Sequence, residues 1–395
     1  MMWKKGVALL FGLMLVATTL SFGKVAAEGT SVTVILVSDN EADCAIAEYL
    51  ANVTGAVIVT TTWGVYDPNV TAEIMSYAPD EVIIIGGPDA VVEQYVTDLQ
   101  ELGITVERWG GQNRYETNIM VMEQAKLKFK LMFNNSVIIA PGNDSAAIRA
   151  ALRMAVRRKA MIAFVNDTSN ITKLMLKLQV RNANVTIVQT PVMSKVMLHI
   201  REQLREKMNC NCTEMEVNIT AETALEAINA SEERIATAKE MLENVTLSPP
   251  EERLATRMLN LAEKELENAK DAYEMGRYGK AYGQAIAAKA HAEFVIRMAS
   301  DRWSVEIQTN MTMRAEMYVW RLERQIMIME KTGLNTTELQ ALVDQLKEAI
   351  KNRDYDAIDS IMQQIREKLL ELYANGRGKF RERMVFPAHG RHGRP

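Results

Sequence analysis

The sequence predicts an α/β N-terminal half built on parallel sheets, followed by an all-helical C-terminal half. Two observations predict this division. Short β-branched runs alternate with helical stretches as far as about residue 220, which is typical of parallel strands covered on both faces. From Ala221 onward these runs cease, and apolar residues recur at helical spacing. A chain of 395 residues is long enough for about two or three domains.

The first α/β unit is predicted over residues 28–130. Four strands are expected, at residues 32–37, 56–60, 81–85 and 104–109. Helices are expected between them, over residues 41–52, 71–77 and 90–102, and a fourth helix runs to Phe129. The third and fourth strands each end in paired glycines.

A second unit repeats this pattern over residues 131–220, with a period of roughly 100 residues. Its strands are expected at residues 137–140, 161–165, 184–188 and 212–217. Gln189-Thr190-Pro191 stands where the first unit has Gly86-Gly87-Pro88, so the second copy is degenerate.

The first unit carries a motif in two blocks. The strand ending in Gly86-Gly87 is followed, after the next strand, by an Arg-x-x-Gly-x-x-Arg-Tyr-Glu-Thr stretch over residues 108–117, which we call the motif loop. The motif resembles that of the cell-wall-binding repeat 2 family over residues 31–220. The positions that fit the family pattern in the motif loop are Arg108, Gly111, Arg114, Tyr115, Glu116 and Thr117.

The resemblance implies an α/β fold and non-covalent retention of an exported protein on the cell envelope. The implied partner is an envelope polysaccharide or a surface-layer component. Domains of that family typically occur in threes, whereas this chain shows two.

Candidate ligand-binding residues lie where strands end, because open α/β sheets bind ligands beyond the carboxyl ends of their strands. Arg114 could donate to an anionic polymer and Tyr115 could stack on a sugar. In the structural alternative, Arg114 and Glu116 pair internally and Thr117 caps a helix. The candidates are Asp39, Gly86, Gly87, Asp89, Arg108, Gly111, Arg114, Tyr115, Glu116 and Thr117.

The helical half is predicted over residues 221–375 as a bundle or an array of helical hairpins. Ser248-Pro249-Pro250-Glu251 is a helix-start signal, and glycines at 276 and 279 break a helix. Tyr278 and Tyr355 stand at two similar turns, where each is expected to fill the junction of two helices. This half could form a homo-oligomer. The basic tail, residues 376–395, is expected to be disordered.

The pattern of residues 1–27 predicts a signal peptide. Lys4 and Lys5 precede an uncharged run, and Val25-Ala26-Ala27 supplies small residues before Glu28. An uncleaved anchor helix is the alternative. No later segment is apolar and long enough to span a membrane. The signal peptide predicts a secreted or cell-surface location.

Sequons for N-glycosylation are strongly enriched. Thirteen of the twenty-three asparagines begin an Asn-x-Ser/Thr triplet, whereas chance predicts roughly two. The excess indicates a glycosylated exterior and favours an archaeal or eukaryotic host. The sequons are Asn52, Asn69, Asn134, Asn143, Asn166, Asn170, Asn184, Asn211, Asn218, Asn229, Asn244, Asn310 and Asn335.

The sequence offers little chemistry. No catalytic motif, cofactor motif or metal-ligand spacing is evident, and a net charge of −4 implies no general affinity for nucleic acid. Cys44, Cys210 and Cys212 are odd in number, and more than one pairing is open.

Three hypotheses follow. The first is an envelope-associated binding protein that uses the α/β half. The second is a structural surface protein that oligomerises through its helices. The third is a solute receptor or enzyme that uses the strand-end cleft, which a pocket with convergent titratable groups would favour.

Overall fold

A computed structural model describes residues 31–179, 183–208, 212–309 and 311–383. The predicted signal peptide and sequon residues Asn211 and Asn310 lie outside the described residues.

The first sheet is four-stranded and parallel, in the order β2-β1-β3-β4. Its strands are β1 (Thr33–Ser38), β2 (Val57–Thr61), β3 (Glu81–Ile85) and β4 (Thr105–Trp109). Its helices are α1 (Glu41–Thr54), α2 (Pro68–Ser76), α3 (Gln94–Glu101) and α4 (Arg114–Lys128). Alternate residues of β1 face opposite sides: Ile35 packs with α1 and α4, whereas Leu36 packs with α2 and α3.

The second sheet repeats this topology in the order β6-β5-β7-β8, again fully parallel. Its strands are β5 (Ser136–Pro141), β6 (Met161–Val165), β7 (Asn184–Gln189) and β8 (Cys212–Glu216). Its helices are α5 (Ser145–Arg158), α6 (Ile171–Lys177) and α7 (Ser194–Met208). The predicted fold class is therefore confirmed, with strand bounds within about two residues of those expected.

The two α/β units share one apolar core, which α1 and α4 of the first unit build with α5 of the second. A buried amide also joins them. The side chain of Asn118 on α4 donates to the carbonyl of Ile162 (3.1 Å) and accepts from the amide of Phe164 (2.8 Å). The Asn118 amide thereby bonds to backbone groups on the outer edge of β6, as a neighbouring strand would.

Within the described residues, six helices form the C-terminal half, as predicted for an all-α region. They are α8 (Ala221–Glu243), α9 (Pro249–Glu274), α10 (Tyr278–Thr309), α11 (Met311–Lys331), α12 (Thr337–Asn352) and α13 (Tyr355–Arg383). Ser248 and Glu251 form the capping box that starts α9. None of the helices in the described ranges combines the length and the apolar character that crossing a bilayer requires.

These helices cover the α/β half in two places. Helix α10 packs between α8 and α9 and crosses the carboxyl-end edge of both sheets. Its Tyr282 hydroxyl meets the end of β5, and its Ser300 hydroxyl donates to the carbonyl of Gly64, beyond β2 (2.9 Å). Helices α11, α12 and α13 instead extend the apolar core on the α2 and α3 side.

Two expectations about the helical half were wrong in part. Helix α13 continues to Arg383, eight residues into the segment expected to be disordered, because Arg377 and Arg381 bind Asp80 at 3.0 and 2.9 Å. Tyr355 is 48% exposed and does not fill a helix junction, whereas Tyr278 packs on Tyr273 with ring centroids 5.4 Å apart.

Tyr282→Phe tests how firmly α10 is fastened to the second sheet. The Tyr282 hydroxyl donates to Asp144 (2.8 Å) and accepts from the amide of Ala146 (2.8 Å), and all three residues are buried. Loss of the hydroxyl leaves buried groups unpaired, so we expect the free energy of unfolding to fall by about 1–3 kcal/mol in a urea titration. Tyr278→Phe is the matched control and should change it little. Equal effects of the two changes would contradict this account.

Candidate functional site

The candidate residues cluster as predicted at one edge, because β1, β3 and β4 are parallel and end together. The amide of Asp39, just past β1, donates to the carbonyl of Thr61 at the end of β2 (2.8 Å). The amide of Gly86 donates in the same way to the carbonyl of Trp109 at the end of β4 (3.2 Å). The strand ends are thus bonded directly to one another.

The paired glycines bring two loop backbones into contact. A Cβ on Gly87 would lie 2.9 Å from the carbonyl oxygen of Gly111, and a Cβ on Gly110 would overlap the backbone of Gly86. Gly86 also has a φ of +122°, which side chains other than that of glycine rarely allow. These glycines are therefore needed because two loops of the protein approach each other closely.

Arg108 is held by the loop that follows β3. Its guanidinium donates to the carbonyls of Gly86 (3.0 Å) and Val91 (2.9 Å) and forms an ion pair with Glu93 (3.0 Å). Burial lowers the pKa of this guanidinium, and the charge of Glu93 opposes that shift. Residues 88–93 form turns and irregular structure, and α3 begins at Gln94 and not at the expected residue 90.

Arg114 joins three parts of the chain. It begins α4 in the first unit, donates to the carbonyl of Gly142 beyond β5 in the second (3.1 Å), and pairs with Glu293 on α10 (3.0 Å). Glu293 retains only 7% of its side-chain exposure. These contacts favour the structural alternative for Arg114.

The rest of the motif loop shapes the start of α4. Tyr115 packs against Gly142, where an added Cβ would lie 2.7 Å from the tyrosine ring. The hydroxyl of Thr117 accepts from the amide of Gly111 (3.0 Å), and Glu116 accepts from the amide of Gln112 (3.2 Å). The helix cap is Asn113, which the sequence analysis did not select, and not Thr117.

Asp39 is also paired within the protein. Its carboxylate binds Arg234 on α8 (3.0 and 3.1 Å) and accepts from the amide of Trp63 (3.0 Å). Lys289 on α10 adds an ion pair to Glu41 at 3.3 Å. Asp89, by contrast, is exposed.

Two buried carboxyl groups beside Arg114 differ in the direction of their pKa shifts. Burial raises the pKa of Asp43 to about 7, although the charge of Arg114 opposes the shift. Burial acts in the same direction on Glu293, but the charges of Arg114, Lys289 and Arg234 outweigh it and hold the pKa below its ordinary value. Near neutral pH, Glu293 is therefore an anion and pairs with Arg114.

Little room is left at this edge for a polymer. The cavity beside Arg114, Lys289 and Glu293 has a volume of about 50 Å³, far below the ~300 Å³ typical of even small ligand sites. Within the described residues, no group of three or more His, Cys, Asp or Glu side chains is placed to hold a metal ion.

The fold and these contacts define a protein of two parallel α/β units whose strand-end edges are covered by its own helices. No family model matches the sequence. The chain is 35% identical over 248 residues to the uncharacterized protein MJ0755 of Methanocaldococcus jannaschii, a match that covers 55% of the chain and 71% of that protein. The chain belongs to the family of this archaeal protein.

Two further matches are more distant. The uncharacterized protein PH0614 of Pyrococcus horikoshii is 27% identical over 185 residues, which are 46% of the chain and 54% of that protein. Among solved structures, Cwp6 from Clostridium difficile matches 47% of the chain and 29% of its own, with 22% identity and a TM-score of 0.38. The names of the two archaeal relatives point to no enzyme family.

Arg114→Met should destabilise the protein by about 2–4 kcal/mol, because it leaves the buried Glu293 without its closest cation. Chemical denaturation at pH 7 measures the change. Arg153→Met is the control, since Arg153 lies exposed on α5. The double variant that adds Glu293→Met to Arg114→Met should recover much of the lost stability, because the buried carboxylate that had lost its partner is then absent. Unchanged stability of Arg114→Met would refute the structural role.

The raised pKa of Asp43 predicts that stability falls as pH rises. The folded protein binds a proton at Asp43 more tightly than the unfolded chain, whose aspartate pKa is about 3.9, so folding is favoured at the lower pH. Between pH 5.5 and 8, the titration of Asp43 should lower the free energy of unfolding by about 1–2 kcal/mol. Asp43→Asn should remove that slope and be the more stable protein at pH 8, whereas the exposed control Asp89→Asn should keep it. Equal slopes in urea titrations of Asp43→Asn and the native protein would count against the assignment.

Proposed function

We propose that this chain is an exported, N-glycosylated structural protein of the cell surface. In this proposal the helical half fastens the two α/β units into a rigid body. The observation that carries the proposal is the position of the sequons.

Eleven of the thirteen sequon asparagines lie within the described residues, and ten of them are exposed. Asn166 is half-buried, because its side chain accepts from Thr168 and Ser169. The two buried asparagines of the described residues, Asn40 and Asn118, belong to no sequon. This separation is expected if the triplets serve as glycan acceptors, since the acceptor amide must be accessible.

The contacts of the motif loop support a structural role over polymer binding at the strand ends. Arg108, Arg114 and Asp39 are each engaged by other parts of the chain. The partner that we propose, a surface-layer component or an envelope polysaccharide, would therefore be met on the outer surface of the protein.

Glycan mapping of the native protein tests the proposal. Peptides that contain the ten exposed sequons should include several with a glycan mass, and Asn166 should be modified least because it is half-buried. Peptides with Asn260, an exposed asparagine outside any sequon, provide the control. If every mapped sequon is unmodified in protein purified from its own host, the proposal of a glycosylated exterior fails.

Envelope fractionation separates the structural role from strand-end binding. Arg114→Met protein, kept below its melting temperature, should remain with the envelope fraction as the native protein does. Release of a folded Arg114→Met protein into the soluble fraction would instead favour polymer binding through the motif loop.

A further inference from the structure

The amino-end edge of the second sheet, opposite the covered edge, carries a cluster of basic side chains. Helices α4, α5 and α6 precede β5, β6 and β7, so the last turn of each helix lies near the amino end of the strand that follows it. The amide of Asn134 donates to the carbonyl of Lys159 (3.0 Å), which joins the loop after α4 to the end of α5. We call this surface the basic edge, and its cations are Lys126, Lys130, Arg157, Arg158, Lys159 and Lys177.

The charges of the basic edge are not balanced within the protein. None of these six side chains forms an ion pair among the described residues, whereas Lys128 beside them forms two, both of 2.6 Å. Residues 126–181 contain eleven Lys and Arg but two acids, Asp144 and Asp167, which both follow the carboxyl ends of strands. The whole chain has a net charge of −4, so the positive potential is local to this edge.

Helix stability alone does not account for these charges. Basic residues in a last turn are favourable because the helix dipole is negative there. Helices α4, α5 and α6 each have such a residue, but α1, α2 and α3, which connect the strands of the first sheet in the same way, have none. The charge is therefore a property of this edge, and it indicates an anionic partner.

Apolar side chains project from the same edge. The three most exposed large hydrophobic side chains of the described residues are Met132 (90%), Leu176 (72%) and Leu127 (71%), which lie in the last turns of α4 and α6 and in the loop after α4. A groove of about 210 Å³ lies between Leu127 and Leu178, and Glu123 is the one acid that lines it among the described residues. Apolar side chains that project together indicate a partner with apolar surface of its own.

We propose that the basic edge docks on an anionic lipid bilayer. Its lysines and arginines bind lipid phosphates at the level of the headgroups. Leu127, Met132 and Leu176 insert below them, among the acyl chains. A hydrated polysaccharide offers the negative charge but no apolar layer, so the three apolar side chains favour lipid. In an exported protein the partner is the outer leaflet of the cell membrane, in addition to the partner of the proposed function.

Two sequons bear on this proposal. Asn134 lies beside Lys159, and the amide of Asn184 donates to the carbonyl of Asn135 (2.9 Å), so a glycan on either would keep the edge away from a bilayer. The side-chain amide of Asn134 already donates to the carbonyl of Arg158 (3.0 Å). We therefore expect both to be unmodified in native protein whose other sequons carry glycan. A glycan on Asn134 would contradict docking through this edge.

The test uses the chain from Glu28, which contains every described residue but not the uncharged run before it. Bacterially produced protein without glycan is centrifuged with vesicles of phosphatidylcholine, alone or mixed with phosphatidylglycerol. We expect binding to the anionic vesicles only, and weaker binding at about 0.5 M than at about 0.05 M salt, because exposed charges are screened. Equal binding to both kinds of vesicle, or binding to neither, would overturn the proposal. The proposed function would survive that result, since vesicle binding depends on neither export nor glycosylation.

A pair of neutral substitutions tests the charges. Arg157→Gln combined with Lys177→Gln should weaken binding to the anionic vesicles by about tenfold or more, because two contacts with lipid phosphates are lost. The matched control combines Arg253→Gln with Arg257→Gln on α9, which removes two exposed charges elsewhere and should leave binding unchanged. All four side chains are exposed, so the melting temperature should stay the same and report that each variant is folded. Equal loss in the two double variants would mean that only net charge matters, and would overturn docking through this edge.

A substitution in the loop after α4 tests the apolar contact. Met132→Ser should weaken vesicle binding about tenfold, because its apolar surface no longer enters the bilayer. Met275→Ser is the matched control, since Met275 is 65% exposed at the end of α9. The soluble polyuronate alginate is tested alongside the vesicles. If alginate binds as tightly as the vesicles do and Met132→Ser binds both like the native protein, the edge binds an anionic polymer and the lipid proposal is overturned.

Discussion

The carboxyl-end edge of the two sheets must be covered, and α10 covers it. Parallel strands end there with buried polar groups, among them Asp144 and the carbonyl of Gly142, and such groups are costly unless they are bonded. Helix α10 supplies Tyr282 to Asp144, and through Glu293 it holds the Arg114 that bonds to Gly142. The helical half therefore completes the hydrogen bonding of the α/β half. The stability of both halves depends on these contacts.

This constraint explains why only the first unit carries the full motif. The motif loop connects the two repeats, since Arg114 and Tyr115 contact Gly142 in the first loop of the following unit. The second unit is followed by α8 and not by a further α/β unit, so it has no following repeat for such a loop to contact. Thr190, at the place of the lost glycine pair, instead donates to the buried carboxylate of Asp144 (2.5 Å).

Local features could be predicted from the sequence, and long-range pairings could not. Strands, the capping box of α9 and the clustering of candidates at one edge follow from periodicity and short spacings. The pairs that give those candidates their role span 195 residues for Asp39 and Arg234 and 179 for Arg114 and Glu293, and no local pattern records them. The end of α13 was missed for the same reason, because Asp80 lies 297 and 301 residues from the two arginines that it binds.

The same helical half that covers the strand ends also packs against the α2 and α3 side of the first unit. Helices α8 and α10 occupy the strand ends, where an open α/β sheet would bind a ligand. Helix α11 places Arg321 against Asp98 of α3, so a buried ion pair fixes how the two helices approach each other. The pair of Arg321 and Asp98 thus matches the pair of Arg114 and Glu293 at the strand ends, since each ion pair fixes a helix of the C-terminal half to the first α/β unit.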